Sequence, residues 1–123
     1  EDMEGGEIYV KKIPSMKIVD IAKVIAPKAT HKIIGIRPGE KLHEQMISSD
    51  EAYQTFEYKD YYKIIDKDKI SSYLKNRNKN KNLAIGNKVE ADFVYASNLN
   101  KDRMTKDTLK KWLLSDYKRM KIK

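Results

Sequence analysis

The apolar stretches of this chain are all short, because prolines, glycines and one Lys/Asn-rich run separate them. Pro14 and Pro27 each end the segment before them, and the Pro38-Gly39 pair favours a sharp turn. No apolar run reaches the roughly 20 residues needed to cross a bilayer, and the absence of cysteine excludes disulfides and thiolate metal sites. The pattern therefore predicts one small domain that is not a complete doubly wound sheet.

The order of strand and helix signals predicts an α/β class with the character of a small α+β domain. Apolar alternation predicts a strand at Glu7–Lys11, and aromatic and β-branched residues predict strands at Thr55–Tyr58 and Tyr61–Ile65. Further strands are predicted at His31–Ile36 and Phe93–Tyr95. A short helix is predicted from Glu40 to Met46, and helix N-caps are predicted at Ser15, Asp68 and Thr105. Apolar stripes predict core-facing helices through Ile18, Ile21, Ala22 and Ile25, and through Leu109, Trp112, Leu113 and Tyr117.

The run from Lys75 to Asn82 predicts a solvated or disordered loop, because its composition cannot bury enough apolar surface to offset the entropy of ordering. It divides the domain into a region 1–74, a Lys/Asn-rich loop 75–90, and a C-terminal strand and helix of the same domain at 91–123. No signal peptide opens the chain, and the acidic start suggests a cut through a longer protein. The lack of cysteine fits a reducing cytoplasm, which is the predicted compartment.

A formal net charge of +8 and a mostly lysine character favour anionic partners of some kind. One hypothesis is a small basic nucleic-acid-binding module, in which aromatic side chains stack on bases. The candidates for stacking are Tyr53, Phe56, Tyr58, Tyr61 and Tyr62. Scarce arginine argues against this hypothesis, since the planar guanidinium binds phosphate bidentately and lysine does not.

Several patterns in the chain resemble enzyme motifs, but none of them identifies a catalytic, cofactor-binding or metal-binding residue. The chain has neither a G-x-G-x-x-G fingerprint nor a P-loop. His43-Glu44 lacks the second histidine, four residues later, of a zinc-protease helix. Glu40 and Glu44 could pair as carboxylates on a helix, but such pairs are usually solvated. Tyr117 and Lys121 match the Tyr-x-x-x-Lys spacing of short-chain dehydrogenases, but in a basic tail rather than a cofactor domain.

The segment Arg37-Pro38-Gly39-Glu40 is the strongest candidate for a binding site. Its Pro-Gly centre predicts a type II turn, and a strand ending at Ile36 would deliver Arg37 to the edge of a sheet where ligands approach. A guanidinium can grip a diphosphate through two parallel charge-assisted hydrogen bonds, and a carboxylate nearby can accept from a vicinal diol such as a ribose. Arg37 and Glu40 thus form a candidate nucleoside-diphosphate clamp, although the same four residues also suit an ordinary surface turn.

Three segments in order resemble the C-terminal part of the bacterial sugar-nucleotide dehydratases of polysaccharide biosynthesis. They are Gly5–Val10, Lys12–Ile18 and Gly35–Glu44, with further likeness at Asp60–Tyr62, Tyr95–Asn98 and Met104–Lys106. Within these extended short-chain dehydrogenases/reductases, the resemblance is greatest to the inverting UDP-N-acetylglucosamine 4,6-dehydratases. The related capsular UDP-sugar 4-epimerase/dehydratase branch shares Arg-Pro-Gly-Glu, and Lys12–Met16 favours the inverting dehydratases.

The resemblance implies that this chain is the substrate-binding half of such an enzyme. In that family an N-terminal Rossmann domain holds NADP and supplies the catalytic residues, and the motif's arginine and acid contact the diphosphate and the ribose. By position these two roles fall on Arg37 and Glu40. The sequence lacks the Rossmann half, so we expect it to bind UDP-sugar without holding NADP or completing turnover. Without the Rossmann domain, the apolar surface that would dock on it is exposed. We therefore expect the chain to self-associate as a homo-oligomer.

Overall fold

The computed structural model describes residues 5–79 and 86–121, and within these ranges the chain forms short strands and three α-helices. The strands are β1 (Ile8–Lys11), β2 (Gln45–Ile47), β3 (Thr55–Glu57), β4 (Tyr61–Ile64), β5 (Asn87–Lys88) and β6 (Tyr95–Ala96). The helices are α1 (Ile18–Ile25), α2 (Ile70–Lys79) and α3 (Lys106–Lys121), with 3₁₀ helices at Ser49–Gln54 and Lys67–Lys69.

The chain divides into two units, one within Glu1–Ile13 and Gln45–Ala96, the other within Pro14–Glu44 and Ser97–Lys123. The division at residues 74 and 90 that the sequence suggests stays a prediction.

The first unit is built on antiparallel strand pairing. Four strands form a sheet in the order β1-β4-β3-β5, and β2 pairs with β6. The strands predicted over 7–11, 55–58 and 61–65 are confirmed as β1, β3 and β4, whereas the last predicted strand is displaced to Tyr95–Ala96. The fold is therefore mixed α/β with antiparallel sheets, which places it on the α+β side of the predicted class.

One face of β4 packs into the main hydrophobic cluster, whose buried members are Val10, Ile47, Tyr62, Ile64 and Tyr95. Val10 lies directly opposite Tyr62 in the β1–β4 register. The Tyr95 hydroxyl accepts from the Ile13 amide at 2.9 Å and donates to the Ile13 carbonyl at 3.1 Å. This pair of bonds satisfies the buried hydroxyl and fixes the chain just after β1.

The other face of β4 carries Lys63, whose side chain is only 7% exposed. Its Nζ lies 3.9 Å from Glu7 Oε1, which is equally buried, and 5.4 Å from the centroids of the Tyr9 and Tyr73 rings. Lysine is almost never buried without a partner, and here a carboxylate and two aromatic faces provide one. Burial is the largest single influence and would lower the pKa of Lys63. The Tyr9 hydroxyl, with smaller contributions from Tyr58 and Glu7, outweighs it and raises the pKa above its usual value.

We expect the unfolding free energy to fall as the pH rises through about 10 and above. The raised pKa of Lys63 stabilises the fold below its unfolded-state value, and this contribution is lost as the pH passes the folded-state value. Burial, with the nearby Glu57 charge, also raises the pKa of Tyr62, so deprotonation of that phenol acts in the same direction. Urea unfolding between pH 8 and 11 measures the loss, and a flat profile would contradict it.

The second unit pairs α1 with α3, and Lys106 Nζ at the start of α3 lies 3.4 Å from Asp20 Oδ1 on α1. The predicted N-cap of α3 is confirmed, since Thr105 Oγ1 accepts from the Thr108 amide at 3.2 Å. Of the apolar stripe predicted for α3, Leu109 is buried. Trp112 and Tyr117 are more than half exposed, so the stripe does not face a core along its whole length.

Two other predicted N-caps are wrong. Ser15 precedes α1 but its hydroxyl accepts from Asn100 Nδ2 at 3.0 Å, so the side chain is engaged elsewhere and Lys17 occupies the cap position without a side-chain bond. Asp68 is not the capping residue ahead of α2 either. The capping side chain there is Asp66, whose Oδ1 accepts from the Asp68 amide at 3.1 Å. Asp68 follows directly in the 3₁₀ turn that precedes α2.

The strand predicted at His31–Ile36 and the helix predicted at Glu40–Met46 do not form. The first segment has no strand to pair with among the described residues, and Ile33, Ile34 and Ile36 are 85%, 70% and 55% exposed. In the second, Glu44 donates its amide to Ser97 Oγ at 3.0 Å and accepts from the Ser97 amide at 2.8 Å. Those bonds hold the backbone in pairing geometry, and β2 begins at the next residue.

The loop predicted at Lys75–Asn82 is also wrong over Lys75–Lys79, which continues α2, while 80–82 lies outside the described residues. The helix is anchored upstream, where Tyr73 packs on Phe56 with ring centroids 5.1 Å apart, and the lysine and arginine residues of 75–79 can continue it. The end of α1 at Ile25, two residues before Pro27, agrees with the predicted stop.

Candidate functional site

The Pro38-Gly39 turn adopts the geometry that its sequence predicts. Gly39 has φ +85°, the left-handed conformation required at the third position of a type II turn and nearly strain-free only for glycine. The Glu40 amide donates to the Arg37 carbonyl at 3.1 Å, which closes the turn. The turn follows an irregular segment instead of a strand, so Arg37 does not stand at the carboxyl end of a sheet strand as the sequence predicts.

The turn brings the two predicted clamp residues together. Arg37 Nε lies 4.0 Å from Glu40 Oε1, and Glu40 Oε2 accepts from the Arg37 amide at 3.0 Å. The side chains are 73% and 54% exposed, and a surface ion pair of this kind contributes only about 0–1 kcal/mol. Exchanging it for contacts with a ligand therefore costs little, and the geometry suits a guanidinium and a carboxylate that act on one ligand.

Glu40 and Glu44 do not form the helical carboxylate pair that the i, i+4 spacing suggests, because the residues between them are not helical. His43 lies in the same bend. Within residues 5–79 and 86–121, no group of three or more His, Asp or Glu side chains could hold a metal ion. No helix in those ranges is both long and apolar enough to span a membrane.

An open groove of about 620 Å³ lies in the second unit, beside the turn in sequence but not lined by Arg37 or Glu40. Its cationic lining residues are Lys17, Lys41 and Arg103. Sequence reasoning missed Lys17 and Arg103, because the groove joins segments that are more than 80 positions apart and no local pattern marks such a meeting. The family signature Lys41–Glu44 is a local sequence signal for the groove, since all four of its residues line it.

Four of the five aromatic residues of the nucleic-acid hypothesis are used in packing, while Tyr53 is 43% exposed. Phe56 is fully buried and Tyr62 is 8% exposed, while Tyr58 stacks on Tyr61 with ring centroids 4.7 Å apart. The Tyr58 hydroxyl also hydrogen-bonds the Tyr73 hydroxyl. Rings engaged in this way are not a platform for bases, so the hypothesis loses the feature that favoured it.

Comparison with known proteins places these features in a family. A family model described as "Polysaccharide biosynthesis protein" matches residues 1–66. The chain is 49% identical, over 81% of its length, to a protein of Campylobacter jejuni named UDP-N-acetylglucosamine 4,6-dehydratase (inverting), of which it covers 30%. It is 36% identical, over 48% of its length, to a UDP-glucose 4-epimerase of Rickettsia massiliae, of which it covers 18%.

A solved structure has a similar fold. The X-ray structure of Pen from Bacillus thuringiensis matches with a TM-score of 0.65 over 90% of this chain and 31% of that one, at 23% identity. The chain thus spans under a third of the length of these relatives. Because the family model matches more than half of its residues, and because a relative is 49% identical over most of its length, this chain belongs to the polysaccharide biosynthesis protein family.

Proposed function

We propose that this chain is the UDP-sugar-binding C-terminal region of an inverting UDP-N-acetylglucosamine 4,6-dehydratase, an extended short-chain dehydrogenase/reductase. In this proposal Arg37 grips the diphosphate and Glu40 accepts from the ribose hydroxyls. The observation that supports it most directly is the Pro-Gly turn, which holds the two side chains 4.0 Å apart on an exposed surface. The 49% identity to a protein of that name supports the choice of enzyme.

The proposal assigns the chemical step to the rest of the longer protein. The described residues include no Gly-rich strand–turn–helix that could cradle the NADP pyrophosphate, so they do not fit that cofactor and we derive no step through it. This chain's own task is to bind and orient the nucleotide end of the substrate. That orientation raises the rate only when the reacting sugar is held elsewhere, which is why the chain alone should give no turnover.

A UDP-sugar 4-epimerase is the second candidate, supported by the likeness to proteins named UDP-glucose 4-epimerase. Both candidate substrates carry the same UDP, so the same clamp would serve either enzyme. The dehydratase is favoured, because the likeness to the epimerases is 36% identity over 48% of the chain and the likeness to the dehydratase is 49% over 81%.

The proposal further includes a cytoplasmic location, which the lack of cysteine fits, and a homo-oligomer. The second copy would cover the apolar side of α1, where Ile18 and Ile25 are 77% and 65% exposed. The sequence predicts that the apolar stripe of α1 faces the core, but no residue of α1 is buried. The proposal therefore assigns that stripe to an interface between copies.

Calorimetric titration with UDP tests the clamp. Removing one charge-assisted hydrogen-bonding group costs about 1.5–3 kcal/mol, so Arg37→Ala should weaken UDP binding by about 10- to 100-fold. Arg37→Lys should recover only part of the loss, because a point charge does not reproduce the bidentate fork. Lys32→Ala, which removes an exposed cation from the adjoining segment, should bind like the unaltered chain.

The role of Glu40 has its own readout. Glu40→Gln retains an oxygen that can accept from the Arg37 amide, so the turn should survive. The variant should lose its preference for UDP over 2′-deoxy-UDP, because the charge-assisted acceptor for the ribose hydroxyl is gone. Equal UDP affinity in Arg37→Ala and the unaltered chain would exclude the clamp.

A further inference from the structure

We propose that the groove of the second unit is a separate binding site for a phosphate-bearing organic molecule, with the phosphate held by Lys17, Lys41 and Arg103. The site does not depend on the UDP clamp, since neither Arg37 nor Glu40 lines the groove. Its ligand class follows from its lining, which combines three cationic side chains with an exposed apolar edge.

The groove is lined by more positive than negative charge, which favours binding of an anion. Three cationic side chains line it against one carboxylate, that of Glu44. In the part of the chain that the structure describes, no carboxylate lies within 4.0 Å of the charged groups of Lys17, Lys41 or Arg103. Like charges gathered without counter-charges repel one another, and a bound dianion would relieve that repulsion.

The three segments that carry these cations are tied together by the backbone. Ser15, two residues before Lys17, donates its amide to the Asp102 carbonyl at 2.9 Å and accepts from the Met104 amide at 3.0 Å. These bonds flank Arg103 and fix it beside the start of α1. On the other side, the paired hydrogen bonds between Glu44 and Ser97 anchor the segment that begins at Lys41.

The guanidinium of Arg103 is also oriented. Its Nη2 donates to the Asn98 carbonyl at 2.9 Å, and Asn98 itself lines the groove. Arginine has five N–H donors, so this bond holds the fork in place and leaves donors for a phosphate oxygen. An anchored fork loses less side-chain entropy on binding than a freely moving one.

The groove also has an apolar edge that inorganic phosphate would not use. Ile18 and Leu42 line it and are 77% and 75% exposed, and Met16 and Val19 complete that side. A volume of about 620 Å³ is within the usual range for small-molecule sites, about 300–1,000 Å³. The lining and the volume therefore favour a phosphate-bearing molecule with an apolar body of moderate size over the free ion.

Calorimetric titration of the full chain with phenyl phosphate tests this site, at a chain concentration low enough to keep it monomeric, because self-association through Ile18 would cover part of the groove. The probe carries one phosphate and one apolar ring, and it has neither the diphosphate nor the ribose that the Arg37–Glu40 clamp is proposed to recognise. We expect saturable binding, with inorganic phosphate about tenfold weaker because it cannot bury apolar surface. Benzyl alcohol, which lacks the phosphate, should not bind measurably.

Variants locate the binding. Lys17→Gln/Lys41→Gln removes two cations whose side chains have no ion pair in the described structure, and it should weaken phenyl phosphate by about tenfold. Lys28→Gln, an exposed lysine of the same unit outside the groove, is the matched control and should stay within about twofold. Far-UV circular dichroism checks the fold, and Lys41→Gln alone replaces the double variant if that variant is not native.

Arg37→Ala separates this site from the proposed function. It should weaken UDP binding at the clamp by about 10- to 100-fold and leave phenyl phosphate binding unchanged. Loss of phenyl phosphate binding in Arg37→Ala, an equal effect of Lys28→Gln and the double variant, or no saturable binding at all would each overturn the groove site. A chain that binds phenyl phosphate but not UDP would retain the groove site and reject the clamp.

Discussion

Lys63→Ala should lower the free energy of unfolding by about 3–5 kcal/mol, the usual cost of removing one partner from a buried ion pair. The variant leaves Glu7, whose side chain is 5% exposed, without its cation at 3.9 Å. It also empties the space between the Tyr9 and Tyr73 rings. Urea denaturation monitored by circular dichroism measures the change.

The matched control is Lys11→Ala, which removes an exposed lysine from β1 of the same sheet and should change stability by less than about 0.5 kcal/mol. A second variant distinguishes an uncompensated charge from a lost packing contact. Lys63→Met/Glu7→Gln removes both charges and keeps most of the side-chain volume, so it should regain much of the loss. An equal loss in the double variant would assign the effect to packing, and stability unchanged in Lys63→Ala would contradict the buried pair.

Lys63 also shows where sequence reasoning about this fold stops. The aromatic and β-branched residues of β4 predict a strand correctly, but lysine is normally exposed to solvent and nothing local marks Lys63 as buried. Burial of Lys63 depends on Glu7 and Tyr9, which are more than 50 positions away and reach it through the β1–β4 pairing. A long-range pairing of this kind leaves no local signal in the sequence.

The candidate site could likewise be predicted only in part. The Pro-Gly turn and the proximity of Arg37 and Glu40 could be predicted, because four consecutive residues determine them. The strand before the turn and the helix after it were wrong, since strands need partners and Glu44 pairs with Ser97 instead of continuing a helix. The groove beside Lys41 could not be predicted, because Arg103 reaches it only through the fold.

Helix α1 is the clearest case in which a correct pattern had a wrong interpretation. Its i, i+3, i+4, i+7 stripe does form an amphipathic helix, and the sequence reasoning assumed that an apolar face must meet a core. Ile18 and Ile25 are instead 77% and 65% exposed, and Val19 is 44% exposed. An exposed apolar face on one helix is typical of a surface that another protein surface covers.

We therefore expect this chain to self-associate through α1. Burying an isoleucine side chain is worth about 1.5–3 kcal/mol, and a symmetric contact would bury Ile18 and Ile25 of both copies. Sedimentation equilibrium should show a mass that rises above that of one chain as concentration increases. A chain that remains monomeric and well dispersed at high concentration would rule out the proposed homo-oligomer.

Two variants locate the contact. Ile18→Gln/Ile25→Gln leaves the net charge unchanged and removes the two most exposed apolar side chains of α1, so it should shift the chain to monomer. Lys23→Gln, an exposed polar position on the same helix, should associate like the unaltered chain or slightly more, because it lowers the repulsion between two copies with a net charge of +8. Association that persists in the double variant would move the contact away from α1 to another exposed apolar segment, of which 33–36 is the first to test.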